Sequence, residues 1–483
     1  MDKIRDPLYG FIECEPLERD IINSPAFQRL RRVKQLALAN YVYPSANHTR
    51  FEHCIGTMHV AGLMAKKFDL DPETTRIVRL AALVHDIGHG PFGHVTEDAF
   101  EALHINRGDE TTVHKFHEHI TAKIIRSQKH LGKYLEQDAE RIADILDPKK
   151  TDPCIEKDIV SGPLDADKID YLRRDSYFCG VEYGAFDFHK LLRVLTAPQV
   201  GDIRSLRIEH DGVHCIEQFV VAKYFINYQV YRHRIRLITD AMLVRAVELS
   251  FKENSYVNTL YSFNNSSEES FNNYLDTYLN SDDTKLLDEG ANNPSEGQTL
   301  FKMLRNRDLL KRVFHCNASE LLPNKDNKEK VHALKKLFLV LGNLFGGTSK
   351  HDTSAIKKLM EKHHKELIGH SKEIETRIAE HLHVEKNHCI LKIYPIKFDR
   401  GKEIDAGKVM VLQQYGEPKT LDECTEICTP TEAKLRQMNI DVYAPPINNN
   451  TYTLEALSKI RGPVMEILKE YFKDGGSENV VVE

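Results

Sequence analysis

The first half of the chain carries apolar residues at the three- and four-residue spacing that is typical of amphipathic helices. The clearest apolar stripes run through residues 51–67 and 72–86. Gly88 and the pair Gly90-Pro91 should end the second helix just after residue 86, because glycine and proline do not favour a continued helix. The pattern therefore predicts two long neighbouring helices, the second ending in a glycine-rich turn.

The rest of the chain shows both helical and strand patterns. Helical periodicity continues in four further stretches, 117–145, 187–195, 214–251 and 300–315. Turn-forming residues interrupt 253–299, which predicts short helices between surface loops, and charged helical spacing returns at 328–382. Three segments favour β-strands, the first two joined by a polar loop: 390–398, 408–414 and 439–446.

These elements predict a mainly α fold with a smaller α+β region at the C-terminal end. A chain of 483 residues is too long for one ordinary core. We expect a helical domain with a helical extension over residues 1–327 and an α+β regulatory or oligomerisation region over residues 328–483.

Composition and charge exclude several classes of protein. The net charge is −6, so no global basic field draws the chain to nucleic acid or to anionic lipid. The N-terminus lacks the apolar core of a signal peptide, and the densest apolar stretch, 337–345, is too short to span a bilayer. Nine cysteines without framework spacing predict reduced thiols. We therefore expect a cytoplasmic protein with no membrane partner, for which nucleic acid is not the main partner.

The histidines are concentrated around the predicted glycine-rich turn. Seven of the 24 lie between residues 85 and 119, where an even distribution would place about two. His85 and Asp86 are adjacent at a helix end, and imidazole and carboxylate groups are the ligands that borderline divalent metals favour. His53 on the preceding helix and a second carboxylate from the acidic segment 163–175, which contains Asp165, Asp167, Asp170 and Asp175, would complete a candidate metal site. From the residues alone, a solvated acidic helix remains an equal alternative for that segment.

Two cations lie next to these candidate ligands in the sequence. Arg50 precedes His53 by three residues, and Lys168 follows Asp167 directly. Positive groups beside a metal usually neutralise an anionic substrate, and phosphate is the commonest one. The sequence therefore favours a phosphate-containing substrate.

The order and spacing of His53, His85-Asp86 and Asp167 resemble the signature of the HD superfamily of metal-dependent phosphohydrolases. Six motifs occur in the order of one of its families, the deoxynucleoside triphosphate triphosphohydrolases, including YVYPSANHTRFEHCIG, HDIGHGPFGH and DADKIDYLRRD. The resemblance is strong over residues 2–250 and continues weakly to the segment DVYAPP. It is greatest to members that combine a SAM and an HD domain, of which only the HD and C-terminal parts are expected here.

The resemblance implies roles for individual residues. The metal ligands would be His53, His85, Asp86 and Asp167. The residues near the reacting phosphate and the leaving oxygen would be His94, His117, His89 and Glu118, with Glu97 as a further orienting carboxylate. The substrate-binding residues would be Gln35 and Asp175 at the sugar 3′-hydroxyl, Leu36 and Tyr231 beneath the sugar, and Arg50, Lys168, Tyr171 and Lys223 at the phosphates.

The activity that the resemblance implies is hydrolysis of deoxynucleoside triphosphates to a deoxynucleoside and inorganic triphosphate. A metal-activated water would attack the α-phosphorus, with iron, manganese or a similar ion in the HD site and Mg²⁺ on the substrate phosphates. Two alternatives are an HD phosphohydrolase of other specificity, such as a phosphodiesterase or nucleotide phosphatase, and a non-enzymatic nucleotide-binding module.

The resemblance also implies assembly into a dimer or tetramer and an allosteric site for a nucleotide activator. The residues that match this site are Asn23, Gln28, Arg31, Arg193, Arg307 and Lys311. Three positions depart from the family pattern, one of them Asn227, which replaces a histidine near Lys223. Asn23 replaces a guanine-reading aspartate, which puts strict guanine activation in doubt, and Lys223 replaces a phosphate-binding arginine, which leaves a point charge without the bidentate fork.

Overall fold

The computed structural model describes most of the chain in two compact units. The described residues are 3–107, 116–147, 150, 154–200, 203–263, 268–317, 370–395, 409–413, 417–425, 438–446 and 454–474. The first unit comprises Met1–Arg307 with Glu403–Thr429, and the second Asp308–Lys402 with Pro430–Glu483. The boundary predicted between residues 327 and 328 lies outside the described residues, so it stays a prediction.

The first unit is mainly helical, which confirms the predicted fold class. Its first eight helices are α1 Pro16–Asn23, α2 Pro25–Gln28, α3 Arg50–Lys67, α4 Pro72–Val84, α5 His94–Arg107, α6 Phe116–Arg126, α7 Gly132–Leu135 and α8 Ala139–Leu146. They are followed by α9 Ile155–Ser161, α10 Ala166–Cys179, α11 Phe188–Val194, α12 Val213–Ile226, α13 Arg234–Ser250, α14 Ser255–Tyr261, α15 Glu268–Leu279, α16 Asp283–Asn292 and α17 Gln298–Arg305.

Short strands accompany these helices. The hairpin at the start consists of β1 Lys3–Asp6 and β2 Gly10–Glu13, which pair antiparallel. The other strands before residue 300 are β3 Leu195–Thr196, β4 Gln199–Val200, β5 Ile203–Arg204 and β6 Arg207–Ile208. None of the strands described so far exceeds four residues, so helices form the framework of this unit.

Helix α3 packs against both α4 and α10, and the three helices form the framework for the predicted site. A capping box of Thr49 and Glu52 starts α3, and the Asp71 side chain caps α4 by accepting the Thr74 N–H. Gly56 lies where α3 crosses α10, and a Cβ at this position would collide with the side chains of Asp170 and Arg174. The glycine thus allows the close approach of the helix that carries His53 to α10.

Several predicted helices differ in extent from the observed ones. The stretches 117–145 and 214–251 are each divided, the second by a π-helical turn at Asn227–Tyr231. The prediction of one helix over 300–315 is wrong in its second half, because α17 ends at Arg305 and strand β7, Lys311–Asn317, follows. A short apolar run such as LLKRVF does not distinguish helix from strand by its spacing, and pairing with a distant strand decided the outcome.

The second unit contains an antiparallel sheet backed by helices. Its strand order is β7, β11 Met438–Ala444, then β8 Ile390–Pro395. Val313, Ile440 and Val442 pack in one core with apolar residues of the helix Leu454–Asp474 and of residues 370–382. The predicted strands at 390–398 and 439–446 are confirmed within the described residues.

The strand predicted at 408–414 belongs to the first unit instead. Strand β9, Met410–Val411, pairs in parallel with β6 and antiparallel with β10, Lys419–Thr420, which the short helix Leu421–Cys424 follows. The first two predicted strands are therefore in different sheets, and the polar loop between them lies outside the described residues. None of the described helices is long and apolar enough to cross a membrane.

Candidate active site

Three helices bring the four predicted metal ligands together. His53 lies on the first turn of α3, His85 and Asp86 directly follow α4, and Asp167 lies on the first turn of α10. His53 Nε2 is 3.0 Å from Asp167 Oδ1 and 3.7 Å from Asp86 Oδ2. His85 Nε2 is 3.5 Å from Asp167 Oδ1 and 3.4 Å from Asp86 Oδ1. His53, His85 and Asp86 thus form one cluster of potential ligands, and Asp167 lies beside both of its histidines.

The other nitrogen of each imidazole ring fixes the ring's orientation. His53 Nδ1 is hydrogen-bonded to Asp170 Oδ2 at 2.8 Å, and His85 Nδ1 to the carbonyl oxygen of Ala82 at 2.7 Å. These acceptors place the ring proton on Nδ1 and leave the Nε2 lone pair free. Both Nε2 atoms are buried and have no hydrogen-bond partner within the described part of the chain. Such a donor set fits a divalent metal ion.

The electrostatics of the cluster support the same conclusion. Burial lowers the pKa of His53, but the nearby Asp167 and Asp170 carboxylates outweigh it and raise that pKa to about 10. Burial raises the pKa of Asp167, but the His53 and His85 imidazoles outweigh it and lower that pKa overall. The carboxylates therefore stabilise positive charge at this point, and a metal ion can supply that charge in place of protons.

A buried arginine and two carboxylates, which are not themselves predicted ligands, hold the metal ligand His53 in place. Arg174 is fully buried and donates to both oxygens of Asp170, from Nε at 2.8 Å and from Nη2 at 2.9 Å. Its Nη1 lies 2.9 Å from Asp6 Oδ2 on the β1–β2 hairpin. Asp170 in turn holds His53, so a bidentate ion pair fixes the orientation of a metal ligand.

A second group of histidines lies beside the first. His89, His94, Glu97 and His117 each offer one ligand atom, and these atoms all lie within 4.8 Å of one another. His117 Nδ1 is hydrogen-bonded to Glu97 Oε1, and His89 stacks on the His117 ring at 4.0 Å. The two groups meet at Asp86, whose Oδ1 is 3.3 Å from His89 Nε2.

The members of this second group differ in charge and exposure. Burial, followed by the nearby Arg50 guanidinium, lowers the pKa of His89 far below its usual value, so its ring is neutral. Burial raises the pKa of Glu97, but hydrogen bonds from His117 and His94 outweigh it and lower that pKa overall. His94 is mostly exposed, and Glu118 is half-buried on α6. The group can move a proton or hold a second metal ion.

The predicted phosphate-binding residues lie in different environments. Arg50 is buried and its Nη1 donates to Asp86 Oδ2, and Gly93 leaves room for its guanidinium. Lys168 is held at the N-terminus of α10, where its Nζ donates to Asp165 Oδ2 at 2.5 Å and to the Gly162 carbonyl at 3.0 Å. Tyr171 lies one turn further along α10, and Lys223 is half-buried on α12.

The predicted sugar-binding residues share one buried network. Asp175 is buried and accepts hydrogen bonds on both oxygens, from the Tyr231 hydroxyl and from His48 Nε2 at 2.8 Å. Leu36 is buried, and the Gln35 N–H donates to the His48 carbonyl at 3.1 Å. His48 was missed by the sequence analysis; its position two residues before Arg50, just ahead of α3, could have indicated it.

The structure also reveals a clamp on the glycine-rich turn. Arg29 is fully buried, and its guanidinium donates to the carbonyls of Ile87 at 3.0 Å, His89 at 2.6 Å and Ser281 at 3.2 Å. From the helices after residue 268, the Tyr278 hydroxyl donates to the Gly88 carbonyl at 2.9 Å. The turn between Asp86 and His89 is therefore held by residues from both ends of the first unit.

This clamp gives a testable stability prediction. Arg29→Met should lower the free energy of unfolding by about 3 kcal/mol, because three buried carbonyls lose their donor. The matched control is Arg31→Met, an exposed arginine that stacks on Phe51, which should cost less than about 1 kcal/mol. Urea unfolding followed by circular dichroism, with chelator present in all samples, measures both. Equal losses in the two variants would show that the clamp contributes nothing specific.

The six residues predicted to bind an activating nucleotide lie in both units. Asn23 ends α1, Arg31 Nε donates to Gln28 Oε1 at 2.9 Å, and Arg193 Nη2 is 2.9 Å from Asp211 Oδ2. Arg307 donates to the Tyr41 carbonyl, whereas Lys311 starts β7 in the second unit. The assignment of these residues to one site stays a prediction.

Two family models match neighbouring parts of the chain. Residues 50–173 match the family model of the HD domain, and residues 186–337 match that of the HD associated region. An uncharacterized protein of Methanocaldococcus jannaschii is 38% identical over 253 residues, 52% of this chain and 51% of that protein. Deoxynucleoside triphosphate triphosphohydrolase SAMHD1 of Gallus gallus is 26% identical over 347 residues, 64% of this chain and 56% of that protein.

The chain thus spans about half the length of the curated relatives it matches. Among solved structures, a phosphohydrolase from Bacteroides thetaiotaomicron has a TM-score of 0.65 at 23% identity, covering 92% of this chain and 100% of that one. A hypothetical protein from Aquifex aeolicus has a TM-score of 0.61 at 24% identity, covering 96% of this chain and 99% of that one. Both share the fold of this chain.

Proposed function

We propose that this chain, which contains an HD domain and the HD associated region that follows it, hydrolyses deoxynucleoside triphosphates to a deoxynucleoside and inorganic triphosphate. The observation that carries the proposal is the layout of helix α10. Asp167, Tyr171 and Asp175 lie one turn apart on it, at steps of about 6 Å. One end belongs to the metal-ligand cluster, and the other to the network of Asp175, Tyr231 and His48. The distance along α10 from Asp167 to Asp175 suits a nucleotide with its phosphates at one end and its sugar at the other.

Each group of residues then has a separate task. His53, His85, Asp86 and Asp167 would hold the metal ion, which when bound would acidify a water molecule and polarise the α-phosphate. Arg50, anchored on Asp86, would stabilise negative charge at the reacting phosphate. Tyr171 and Lys223 would contact the phosphates further along, whereas Lys168 would first have to leave Asp165. Mg²⁺ would accompany the substrate phosphates.

The histidines of the second group would move the proton that the reaction requires. Glu97 binds His117 Nδ1, which leaves His117 Nε2 to donate a proton to the departing 5′-oxygen. His94 is exposed beside it and can exchange protons with solvent. His89 is neutral and buried, so it can orient but not supply charge. Glu118, on the same helix as His117, would be a further orienting carboxylate.

The sugar network would supply the preference for deoxynucleotides. Tyr231 is held by Asp175 and lies 6.3 Å from the Tyr171 ring, centroid to centroid. With Leu36 it would close the space that a 2′-hydroxyl needs. A phosphatase of broad specificity has no use for such a network, and the name of the Gallus gallus relative supports the same substrate class.

A second candidate is a phosphodiesterase or nucleotide phosphatase on the same scaffold. The observation that favours it is the second group of four potential ligands, His89, His94, Glu97 and His117, next to the first. Two adjacent metal ions are typical of enzymes that hydrolyse phosphate mono- and diesters. Regulation by a nucleotide through Asn23 and its companions, and assembly into a dimer or tetramer, stay predictions.

One experiment separates these functions. The purified protein is incubated with each dNTP and each rNTP, with Mn²⁺, Mg²⁺ or chelator, and the phosphate products are separated. We expect inorganic triphosphate from dNTPs with Mn²⁺ or Mg²⁺, and turnover of rNTPs at least about tenfold lower, since shape selection against one hydroxyl group is worth 1–3 kcal/mol. Orthophosphate or pyrophosphate as the first product would favour the second candidate.

A further inference from the structure

His48 links the two residues to which the sugar 3′-hydroxyl is assigned. It lies just before α3, in a segment that runs alongside residues 33–35, where Lys34 pairs with Thr49. The His48 carbonyl accepts the N–H of Gln35 at 3.1 Å, and His48 Nε2 lies 2.8 Å from Asp175 Oδ1. One residue therefore contacts Gln35 through its backbone and Asp175 through its side chain.

The surroundings of the His48 imidazole ring favour a single role for it, as a hydrogen-bond donor to Asp175. The His48 side chain is fully buried and stacks on Phe178, with ring centroids 4.7 Å apart and planes inclined by 12°. Its Nδ1 is buried and has no hydrogen-bond partner among the described residues. The Nε2 proton therefore points at the Asp175 carboxylate, and no other hydrogen bond competes for the ring.

With these contacts in place, the Asp175 carboxylate and the Gln35 side-chain oxygen can still accept hydrogen bonds from a hydroxyl group. Asp175 is held from both sides, by His48 on Oδ1 and by Tyr231 on Oδ2, but each carboxylate oxygen retains a second lone pair. The Gln35 Oε1 atom is buried and lacks a hydrogen-bond partner among the described residues. A buried acceptor without a donor is costly, and a ligand hydroxyl would relieve that cost.

We propose that His48 is a positioning residue for recognition of the sugar 3′-hydroxyl, because it holds the Asp175 carboxylate in place and ties it to the segment that carries Gln35. The proposal rests on the proposed function, since it assumes a nucleotide with its sugar at this end of α10. His48 touches neither the metal ligands nor the reacting phosphate. Its effect is therefore on selection of the sugar and not on the chemical step.

Three variants distinguish the effect of the His48 Nε2–H donor from the effect of the ring's packing. His48→Phe keeps the stack on Phe178 and removes the donor, and His48→Met removes both while keeping an apolar group of similar size. His48→Gln retains an amide N–H at nearly the reach of Nε2. Each variant is compared with wild type on the preferred dNTP and on its 2′,3′-dideoxy analogue. The measured quantity is the ratio of kcat/KM for the two substrates.

The wild-type protein should favour the 3′-hydroxyl substrate by about tenfold or more, as expected for one hydrogen bond to a charged group. In His48→Phe and His48→Met that preference should fall to less than about threefold, through a higher KM for the dNTP with kcat nearly unchanged. His48→Gln should retain most of it. An unchanged preference in the folded Phe or Met variant would overturn the proposal, as would failure of both to fold while the Gln variant folds.

Calorimetric binding of the same nucleotide pair distinguishes failure of this proposal from failure of the proposed function. If wild type binds the dNTP more tightly than its dideoxy analogue, and His48→Phe does not, the role of His48 stands even if no triphosphate is released. If wild type binds both equally, the role of His48 is wrong whatever the product is.

Discussion

Replacing Asp86 with asparagine should remove the bound metal and lower turnover by more than about 100-fold. Loss of a residue that only hydrogen-bonds a metal ligand can already lower activity by up to about 100-fold, and Asp86 is itself a predicted ligand. Asp86 is the point where both histidine groups meet. Its Oδ1 lies 3.4 Å from His85 and 3.3 Å from His89, and its Oδ2 is bound by Arg50. An amide cannot accept from Arg50 on one side and serve the histidines and a metal ion on the other, because one of its two polar atoms is a donor.

Metal content provides a second readout of the same variant. Elemental analysis of the purified protein should find about one transition metal per wild-type chain and far less in Asp86→Asn and His85→Ala. The matched control is Asp144→Asn, since Asp144 is half-exposed on α8 and distant in sequence from the cluster. Circular dichroism checks that the variants are folded. Full metal content and full activity in Asp86→Asn would show that the metal centre is wrongly assigned.

Replacing His117 with glutamine should lower kcat by about 10²–10⁴-fold, the usual contribution of a general acid or base. His117 is the partly buried histidine that Glu97 orients, and its Nε2 faces away from that carboxylate. Glu97→Gln should cost less, because His117 would keep its place but lose its ionic partner. Metal content should be unchanged in both variants, which separates this role from that of Asp86.

His119 provides the control for this prediction. It lies two residues further along α6, is exposed, and contacts Phe263 and Phe271. His119→Gln should therefore retain nearly full activity. The pH profile adds a further test, because loss of the acid should remove the fall in kcat on the alkaline side. If His117→Gln and His119→Gln had equal activity, the proton-donor role would be refuted.

Much of the metal cluster could be predicted from the sequence because local signals define each part of it. The apolar stripe and capping box define α3, and Pro72 and the glycine-rich turn define the ends of α4. Two buried helices joined by a short loop must pack against each other, which brings His53 towards His85 and Asp86. The acidic segment was ambiguous by composition, and its helix proved to be buried, with Asp170 and Asp175 inside.

The supporting contacts could not be predicted, because they join residues far apart through backbone atoms or single side chains. Arg29 reaches the carbonyl of Ile87 over 58 residues, and His48 reaches Asp175 over 127. Tyr278 reaches Gly88 over 190 residues. A sequence pattern indicates which face of an element is buried, but it carries no information on which distant carbonyl a buried guanidinium will meet.

The position of the bond that is broken tests the central claim most directly. Each dNTP is hydrolysed in water labelled with heavy oxygen, and the products are identified by mass spectrometry. Attack of water on the α-phosphorus predicts one labelled oxygen in inorganic triphosphate and none in the deoxynucleoside. Label in orthophosphate or pyrophosphate, with a deoxynucleotide as the other product, would contradict the proposed function.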